Sequence, residues 1–153
     1  MMSIIIKNNI IAIFVHVCVC IVFLYPVNFM WWGSVWGNEK LDIRVIIINS
    51  IFILVYTIII FSLYFFAGKI FLRGTNNIFK NIASVIVLFI ILLVITLTKY
   101  DEVIERLLRI PYYPLGGTIS SFLHIKEKYG YLIMSIFPSF IMWMGIKKKL
   151  KNK

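Results

Sequence analysis

The chain has 153 residues, of which 61% are hydrophobic and only 14% are charged, and its formal net charge is +10. Soluble domains carry about 25% charged residues and about 45–50% apolar ones. A soluble fold of this size could not bury so many large apolar side chains, so the composition excludes an ordinary soluble domain. The basic residues lie between long apolar runs rather than on one face, which predicts the lipid bilayer as a partner and argues against nucleic acid.

Four apolar segments are long enough to cross a bilayer core of about 30 Å, which takes about 17–25 helical residues. None of them contains Asp, Glu, Lys or Arg. Helices are expected because lipid offers no partners for backbone N–H and C=O groups. Lys7 before the first run resembles a signal-peptide start, but no small-residue cleavage site follows, so we expect an uncleaved anchor. We predict one all-α integral membrane domain over residues 1–153, with transmembrane helices at 10–30, 45–67, 82–98 and 129–146.

The charges between these segments predict the orientation. The N-terminal segment, the second-to-third connection and the C-terminal tail hold nine basic residues and no acid. The other two connections hold seven basic residues and all six acids. Because Lys and Arg accumulate in cytoplasmic flanks, we predict that both termini are cytoplasmic. The bias toward Ile, Asn and Lys is typical of an AT-rich bacterial genome, so the cell membrane is the expected location.

The outer connection, residues 99–128, is long and patterned. If residues 101–110 form a helix, the apolar side chains fall within an arc of about 160° and the charged ones fill the opposite arc. Glu102–Arg106 and Glu105–Arg109 are pairs at i,i+4 in the favourable order. Pro111 is expected to end the helix. This pattern predicts an amphipathic helix on the outer membrane surface, which either covers the spanning helices or binds a partner.

The stretch PYYPLGG, residues 111–117, follows this helix. Its prolines and glycines favour a turn, and Tyr112 and Tyr113 suit the membrane interface. The turn is either a recognition surface or a connector to a second short helix over residues 118–128. The candidate partner surface therefore consists of Glu102, Glu105, Arg106, Arg109, Tyr112 and Tyr113.

The stretch HVCVC in the first span places three reactive side chains at alternate positions. On a helix, His16 and Cys20 are neighbours at i,i+4, whereas Cys18 points about 200° away, so a three-ligand site or a Cys–Cys disulfide is not expected. Asn49 is a candidate polar contact between the second and first spans. The candidate buried polar residues are thus His16 and Asn49.

The segment DEVIER, residues 101–106, resembles the Glu-Glu-x-x-x-Arg motif of intramembrane prenyl-type proteases. In that family the motif belongs to a larger helical bundle with further His or Asn motifs on later helices. Here Asp101, Glu102 and Arg106 carry the resemblance, His124 is the only nearby histidine, and no second motif follows. We therefore interpret these acids as the polar face of the surface helix.

The chain contains no phosphate-binding glycine loop, no G-x-S-x-G elbow and no H-E-x-x-H. The leading hypothesis is a non-enzymatic interaction protein, either an immunity factor against a membrane-active toxin or an accessory subunit of a membrane complex. It needs no cofactor or metal, and its partner is a membrane protein or peptide. The alternatives are a small transporter or pore that depends on His16 or Asn49, and an intramembrane enzyme that uses Glu102, His124 or Cys20.

Overall fold

The chain is helical in the part that the computed structural model describes, which is residues 3–35, 43–98 and 107–151. No strand occurs in these ranges, so the predicted all-α architecture is confirmed there. Residues 107–109 are α-helical and lead into a short 3-10 helix. In chain order the elements are α1 (Ile4–Val35), α2 (Ile43–Phe71), α3 (Ile78–Ala83), α4 (Ile86–Thr98), the 3-10 helix (Ile110–Tyr112), α5 (Tyr113–Phe122), α6 (Glu127–Met134) and α7 (Phe137–Lys151).

Three helical stretches in these ranges are long and apolar enough to cross a membrane: Ile4–Leu24, Ser50–Phe71 and Glu127–Lys151. They overlap the first, second and fourth predicted spans. The third predicted span, 82–98, is not one continuous helix, because a turn at residues 84–85 separates α3 from α4, and α4 has only 13 residues.

The outward faces of the helices remain apolar. Phe14 on α1 is 67% exposed and Leu54 on α2 is 61% exposed, and many other large apolar side chains share this orientation. Water would make such a surface unfavourable, whereas lipid tails would not. The exposed surface and the three long apolar helices are those of a membrane protein.

The first helix begins earlier than predicted. The sequence predicted a span that starts at Ile10, directly after the polar pair Asn8–Asn9. In the structure α1 begins at Ile4, and both asparagines are buried. The helix continues through the pair because other elements supply hydrogen-bond partners for both amides.

The closest helix packing joins α2 and α7. A Cβ on Gly145 of α7 would overlap the carbonyl oxygen of Phe65 and lie 2.7 Å from the amide nitrogen of Lys69. A Cβ on Gly68 of α2 would likewise overlap the carbonyl oxygen of Met142. Two facing glycines therefore let the two backbones touch, which is how small residues promote helix association in membranes.

The helix of the last predicted span is interrupted three residues before Pro138. Pro138 has no N–H to donate to the carbonyl oxygen of Met134, four residues earlier. Residues 135 and 136 form a turn between α6 and α7. Pro138 therefore accounts for this interruption in physical terms.

The stretch PYYPLGG is helical, so its interpretation as a turn or connector is wrong. Residues 110–112 form the 3-10 helix and α5 starts at Tyr113, so Pro111 and Pro114 both fall in first helical turns. Proline is tolerated there because those N–H groups have no intrahelical acceptor. Pro111 does end the preceding α-helical stretch, as predicted.

The segment at the start of this stretch is buried in the bundle. Ile110, Pro111 and Tyr112 are all buried, with Tyr112 only 2% exposed. The structure does not describe residues 99–106, so most of the predicted surface helix, 101–110, lies outside the described residues. The part that is described favours the interpretation in which this segment covers the spanning helices.

Helices α5 and α6 form a tight hairpin. A Cβ on Gly116 would overlap the ring of Tyr131, and a Cβ on Gly130 would overlap the carbonyl oxygen of Gly116 and Oγ of Ser120. Ser120 Oγ donates to the carbonyl oxygen of Gly116 at 2.8 Å and lies 3.3 Å from that of Glu127. The predicted second short helix, 118–128, is therefore divided between α5, the turn after it and the start of α6.

Candidate functional site

A buried histidine joins three parts of the fold. His16 lies on α1 and is 1% exposed, so it faces the bundle and not lipid. Its Nδ1 lies 2.7 Å from the hydroxyl oxygen of Tyr64 on α2. Its Nε2 lies 3.0 Å from the carbonyl oxygen of Leu108, which precedes the 3-10 helix.

The two partners determine the tautomer of His16. A carbonyl oxygen only accepts hydrogen bonds, so we assign the proton to Nε2, which donates to Leu108. Nδ1 is then unprotonated and accepts from the hydroxyl of Tyr64. Both polar positions of the neutral imidazole are satisfied, as a polar ring away from water requires.

Aromatic and sulfur contacts surround the same ring. The ring centroids of Tyr64 and Tyr112 lie 5.9 Å and 6.5 Å from that of His16, both in stacked orientations. Cys20 Sγ donates weakly to the carbonyl oxygen of Leu108 at 3.9 Å. The prediction that His16 and Cys20 lie on one side of the helix is therefore confirmed, and both cysteines are free thiols.

A second tyrosine satisfies the backbone next to the prolines. Pro114 lacks the N–H that would bond the carbonyl oxygen of Ile110 in an α-helix. Tyr113 N–H bonds this oxygen in the 3-10 geometry, and the hydroxyl of Tyr56 on α2 donates to it at 2.9 Å. His16 and Tyr56 thus bond two carbonyls of the same segment, those of Leu108 and Ile110, where prolines leave the helical hydrogen bonding of the backbone incomplete.

The described members of the predicted partner surface mostly turn inward. The guanidinium carbon of Arg109 lies 4.7 Å from the ring centroid of Tyr131, a cation–π arrangement. The ring of Tyr113 stacks on the ring of Tyr131, with centroids 5.3 Å apart. Tyr112 lies in the core beside His16. The structure thus brings Arg109, Tyr112 and Tyr113 into packing contacts that tie the segment to α1 and α6.

Other predicted site residues fall outside the described structure. Glu102, Glu105 and Arg106 lie in the segment that is not described, and the side chain of Asn49 on α2 is also outside the description. His124 is exposed in the turn after α5, with a φ of 52°. Within the described ranges no three His, Cys, Asp or Glu side chains come together as a metal site.

An amide pair that sequence reasoning missed forms the second polar cluster. Asn8 Nδ2 donates to the carbonyl oxygen of Arg73 at 2.8 Å and to Oγ of Ser84 at 3.1 Å, and Asn8 Oδ1 accepts from the N–H of Arg73. Asn9 Nδ2 donates to the carbonyl oxygen of Ala83 at 2.7 Å, and its Oδ1 accepts from the N–H of Val87 at 3.2 Å.

This pair satisfies backbone groups at the break between α3 and α4. Asn9 provides α3 with a donor for its last turn and α4 with an acceptor for its first turn, where helices leave backbone groups unsatisfied. The signal in the sequence was the position of two adjacent amides at the start of an apolar run. That position resembles an ordinary polar flank, so only the packing reveals the role.

The chain has no match among protein-family models, curated proteins or solved structures.

Proposed function

We propose that the chain is a multi-pass protein of the cell membrane with four spans and both termini in the cytoplasm. The support for a fourth span is the apolar outer face of α4. The buried side of this helix carries Leu88, Leu92 and Thr96, and its exposed side carries apolar residues as well. These exposed residues are Ile86, Val87, Ile90, Val94 and Leu97, each 39–50% exposed. A helix that is apolar on all sides suits lipid and not water.

The length of the third span also fits. α3 and α4 together cover residues 78–98, about 31 Å at 1.5 Å per residue, against a hydrocarbon core of about 30 Å. The turn at residues 84–85 is compatible with this depth because Asn9 bonds the backbone on both sides of it. Broken helices are tolerated in membranes where neighbouring groups satisfy the freed backbone.

The orientation is supported by which helix ends meet. Asn8 near the start of α1 contacts Arg73 after α2, and Lys149 Nζ near the end of α7 donates to the carbonyl oxygens of Ile70 and Leu72, each at 3.2 Å. The N-terminal segment, the second connection and the C-terminal tail therefore gather at one end of the bundle. These are the three segments whose charges are all basic, which favours the cytoplasmic side.

The span count and orientation are tested by cysteine labelling. In a Cys18→Ala, Cys20→Ala background, we introduce Asn76→Cys or Lys126→Cys, both at exposed positions. Lys126→Cys should react with an impermeant maleimide in intact cells, and Asn76→Cys should react only after permeabilisation. If α3 and α4 did not cross the membrane, positions 76 and 126 would lie on the same side of it and would label alike. The reversed pattern would contradict the orientation.

We further propose that the protein is a non-enzymatic interaction protein, an immunity factor or an accessory subunit of a membrane complex. The observation that carries this proposal is the tip of the α5–α6 hairpin. Phe122 is 82% exposed and the adjacent Leu123 is 49% exposed. His124 and Lys126 beside them are also exposed, so an aromatic side chain projects among polar neighbours.

The tip is held firmly. His16 and Tyr56 bond the backbone that leads into α5, and Lys128 Nζ at the start of α6 donates to the carbonyl oxygen of Leu97 at 3.3 Å. A fixed, exposed aromatic residue binds a partner with little loss of conformational freedom. Large apolar side chains in such positions are typical of interaction surfaces. By sequence, Glu102, Glu105 and Arg106 belong to the same connection, and we keep them as proposed partner residues.

A photo-crosslinking experiment tests this role. Benzoylphenylalanine is placed at Phe122 or, as the matched control, at Phe79, which is 78% exposed at the other end of the bundle. In native membranes the Phe122 position should yield a discrete protein adduct that the Phe79 position does not. The double change Glu102→Lys, Glu105→Lys should weaken this adduct without lowering the abundance of the chain. Adducts with lipid alone at Phe122, or equal protein adducts at both positions, would contradict the proposal.

A further inference from the structure

Two adjoining cavities lie on the membrane-facing side of the α4–α7 contact. The first is a groove of about 360 Å³ between α4 and α7. Its walls are apolar apart from Ser139, and they include Ile86 and Phe89 on α4, Phe140 on α7 and Trp143 on α7. The Oγ of Ser139 is buried and has no hydrogen-bond partner.

The second cavity, of about 430 Å³, is basic. Trp143 lines both cavities, so the two lie next to each other at this residue. The second cavity is also lined by Lys147 and Lys151 of α7 and by Thr75 and Asn76 of the α2–α3 connection. The ammonium of Lys147 lies 5.5 Å from the centroid of the Trp143 ring, which holds this charge at the boundary between the cavities.

The charge around the second cavity is of one sign. By sequence, the three segments that meet at this end of the bundle contain nine basic residues and no acid. Two lysines beside a hydroxyl and an amide form a site for a phosphate group. A long apolar groove directly next to a phosphate site fits a molecule with hydrocarbon chains and an anionic headgroup.

We propose that these cavities bind an anionic diacyl phospholipid, with one acyl chain between α4 and α7 and the phosphate at Lys147 and Lys151. Basic pockets between membrane helices on the cytoplasmic side are typical sites for anionic headgroups. The site rests on the proposed insertion in the membrane, but it does not depend on the partner-binding role of the hairpin. In this arrangement the lipid fills the gap between α4 and α7.

The experiment uses the full-length chain with Trp31→Phe, Trp32→Phe and Trp36→Phe, which leaves Trp143 as the only tryptophan. It is reconstituted in phosphatidylcholine vesicles that contain a small, fixed fraction of phosphatidylglycerol or phosphatidylcholine with brominated acyl chains. Bromine quenches tryptophan fluorescence on contact. Brominated phosphatidylglycerol should quench Trp143 more strongly than the same fraction of brominated phosphatidylcholine.

Matched variants separate the headgroup from the chain. Lys147→Gln with Lys151→Gln should lower the preference for phosphatidylglycerol about 30-fold, since each lysine near anionic lipid contributes about fivefold. Lys148→Gln removes one positive charge from a position that lines neither cavity, and it should leave the preference almost unchanged. Ile86→Phe should fill the groove and reduce quenching, whereas Val87→Phe, about 100° further round the same helix and lining neither cavity, should not.

Three results would overturn the proposal. Equal quenching by the two lipids would show no anionic site. An equal loss in Lys148→Gln and in the double lysine variant would show only a general effect of charge. Full competition by soluble glycerol 3-phosphate would show a site for a free phosphate compound instead of a lipid. Circular dichroism of each variant verifies folding, and the vesicle assay gives its answer whether or not Phe122 crosslinks to a partner.

Discussion

Replacing Gly145 by alanine will lower the free energy of unfolding by about 1–3 kcal/mol, the range observed when extra methyl groups are forced into packed interiors. The new Cβ would meet the backbone of Phe65 and Lys69, and backbone atoms of a helix cannot rotate away as a side chain does. α2 and α7 would have to separate, which weakens the closest packing in the described fold. The measurement is thermal unfolding of the purified protein in detergent, followed by circular dichroism.

Gly117→Ala is the matched control for this prediction. Gly117 lies in α5, and a Cβ there would find no atom within 4 Å. Alanine is favoured over glycine in a helix by about 0.5–1 kcal/mol, so this variant should unfold at the same temperature or a higher one. Gly68→Ala should resemble Gly145→Ala, and the double variant should cost less than the two single costs combined, because one separation of the helices relieves both overlaps. A stable Gly145→Ala protein would contradict the close approach of α2 and α7.

His16→Leu should also destabilise the protein by about 1–3 kcal/mol. Leucine fills a similar volume but leaves the Tyr64 hydroxyl and the Leu108 carbonyl without their shared partner, and each unsatisfied buried group costs about 1–3 kcal/mol. Hydrogen bonds measured between membrane helices contribute about 0.6 kcal/mol each on average. We therefore expect the destabilisation by His16→Leu to lie toward the lower end of about 1–3 kcal/mol. Because His16 holds the segment before α5, protease cleavage within residues 107–126 should accelerate together with the loss of thermal stability.

Two further variants identify the cause. Tyr64→Phe removes only one of the two hydrogen bonds, so it should cost less than His16→Leu. His124→Asn changes the other histidine of the chain, which is exposed, and asparagine tolerates the φ of 52° found there, so stability should shift by less than about 0.5 kcal/mol. If His16→Leu were as stable as the wild type, the histidine would not be what holds the segment in the bundle.

The sequence predicted the features that depend on one helix at a time. Long apolar runs without charges identified the three long membrane helices, since only helices satisfy their own backbone in lipid. The helical period predicted that His16 and Cys20 share a side, and both contact Leu108.

Features that depend on two helices could not be read in this way. Helices α2 and α7 contain one glycine each, Gly68 and Gly145, and each meets the backbone of the other helix. With a single glycine per helix, no small-xxx-small spacing in the sequence identified this contact. Their role follows only once α2 and α7 are known to pack together. The helical state of PYYPLGG was missed for a similar reason, because the stretch depends on a hydrogen bond from Tyr56, about 54 residues away.

The asparagine pair imposes an order on assembly. The acceptor and donor groups that Asn9 needs on the α3–α4 turn lie 74 and 78 residues further along the chain. At about 5–20 residues per second, a ribosome adds that length in about 4–16 s. Throughout this interval the side chain of Asn9 lacks its partners on the two sides of the α3–α4 turn. The packing of α1 against this turn can therefore be completed only after α4 has been made.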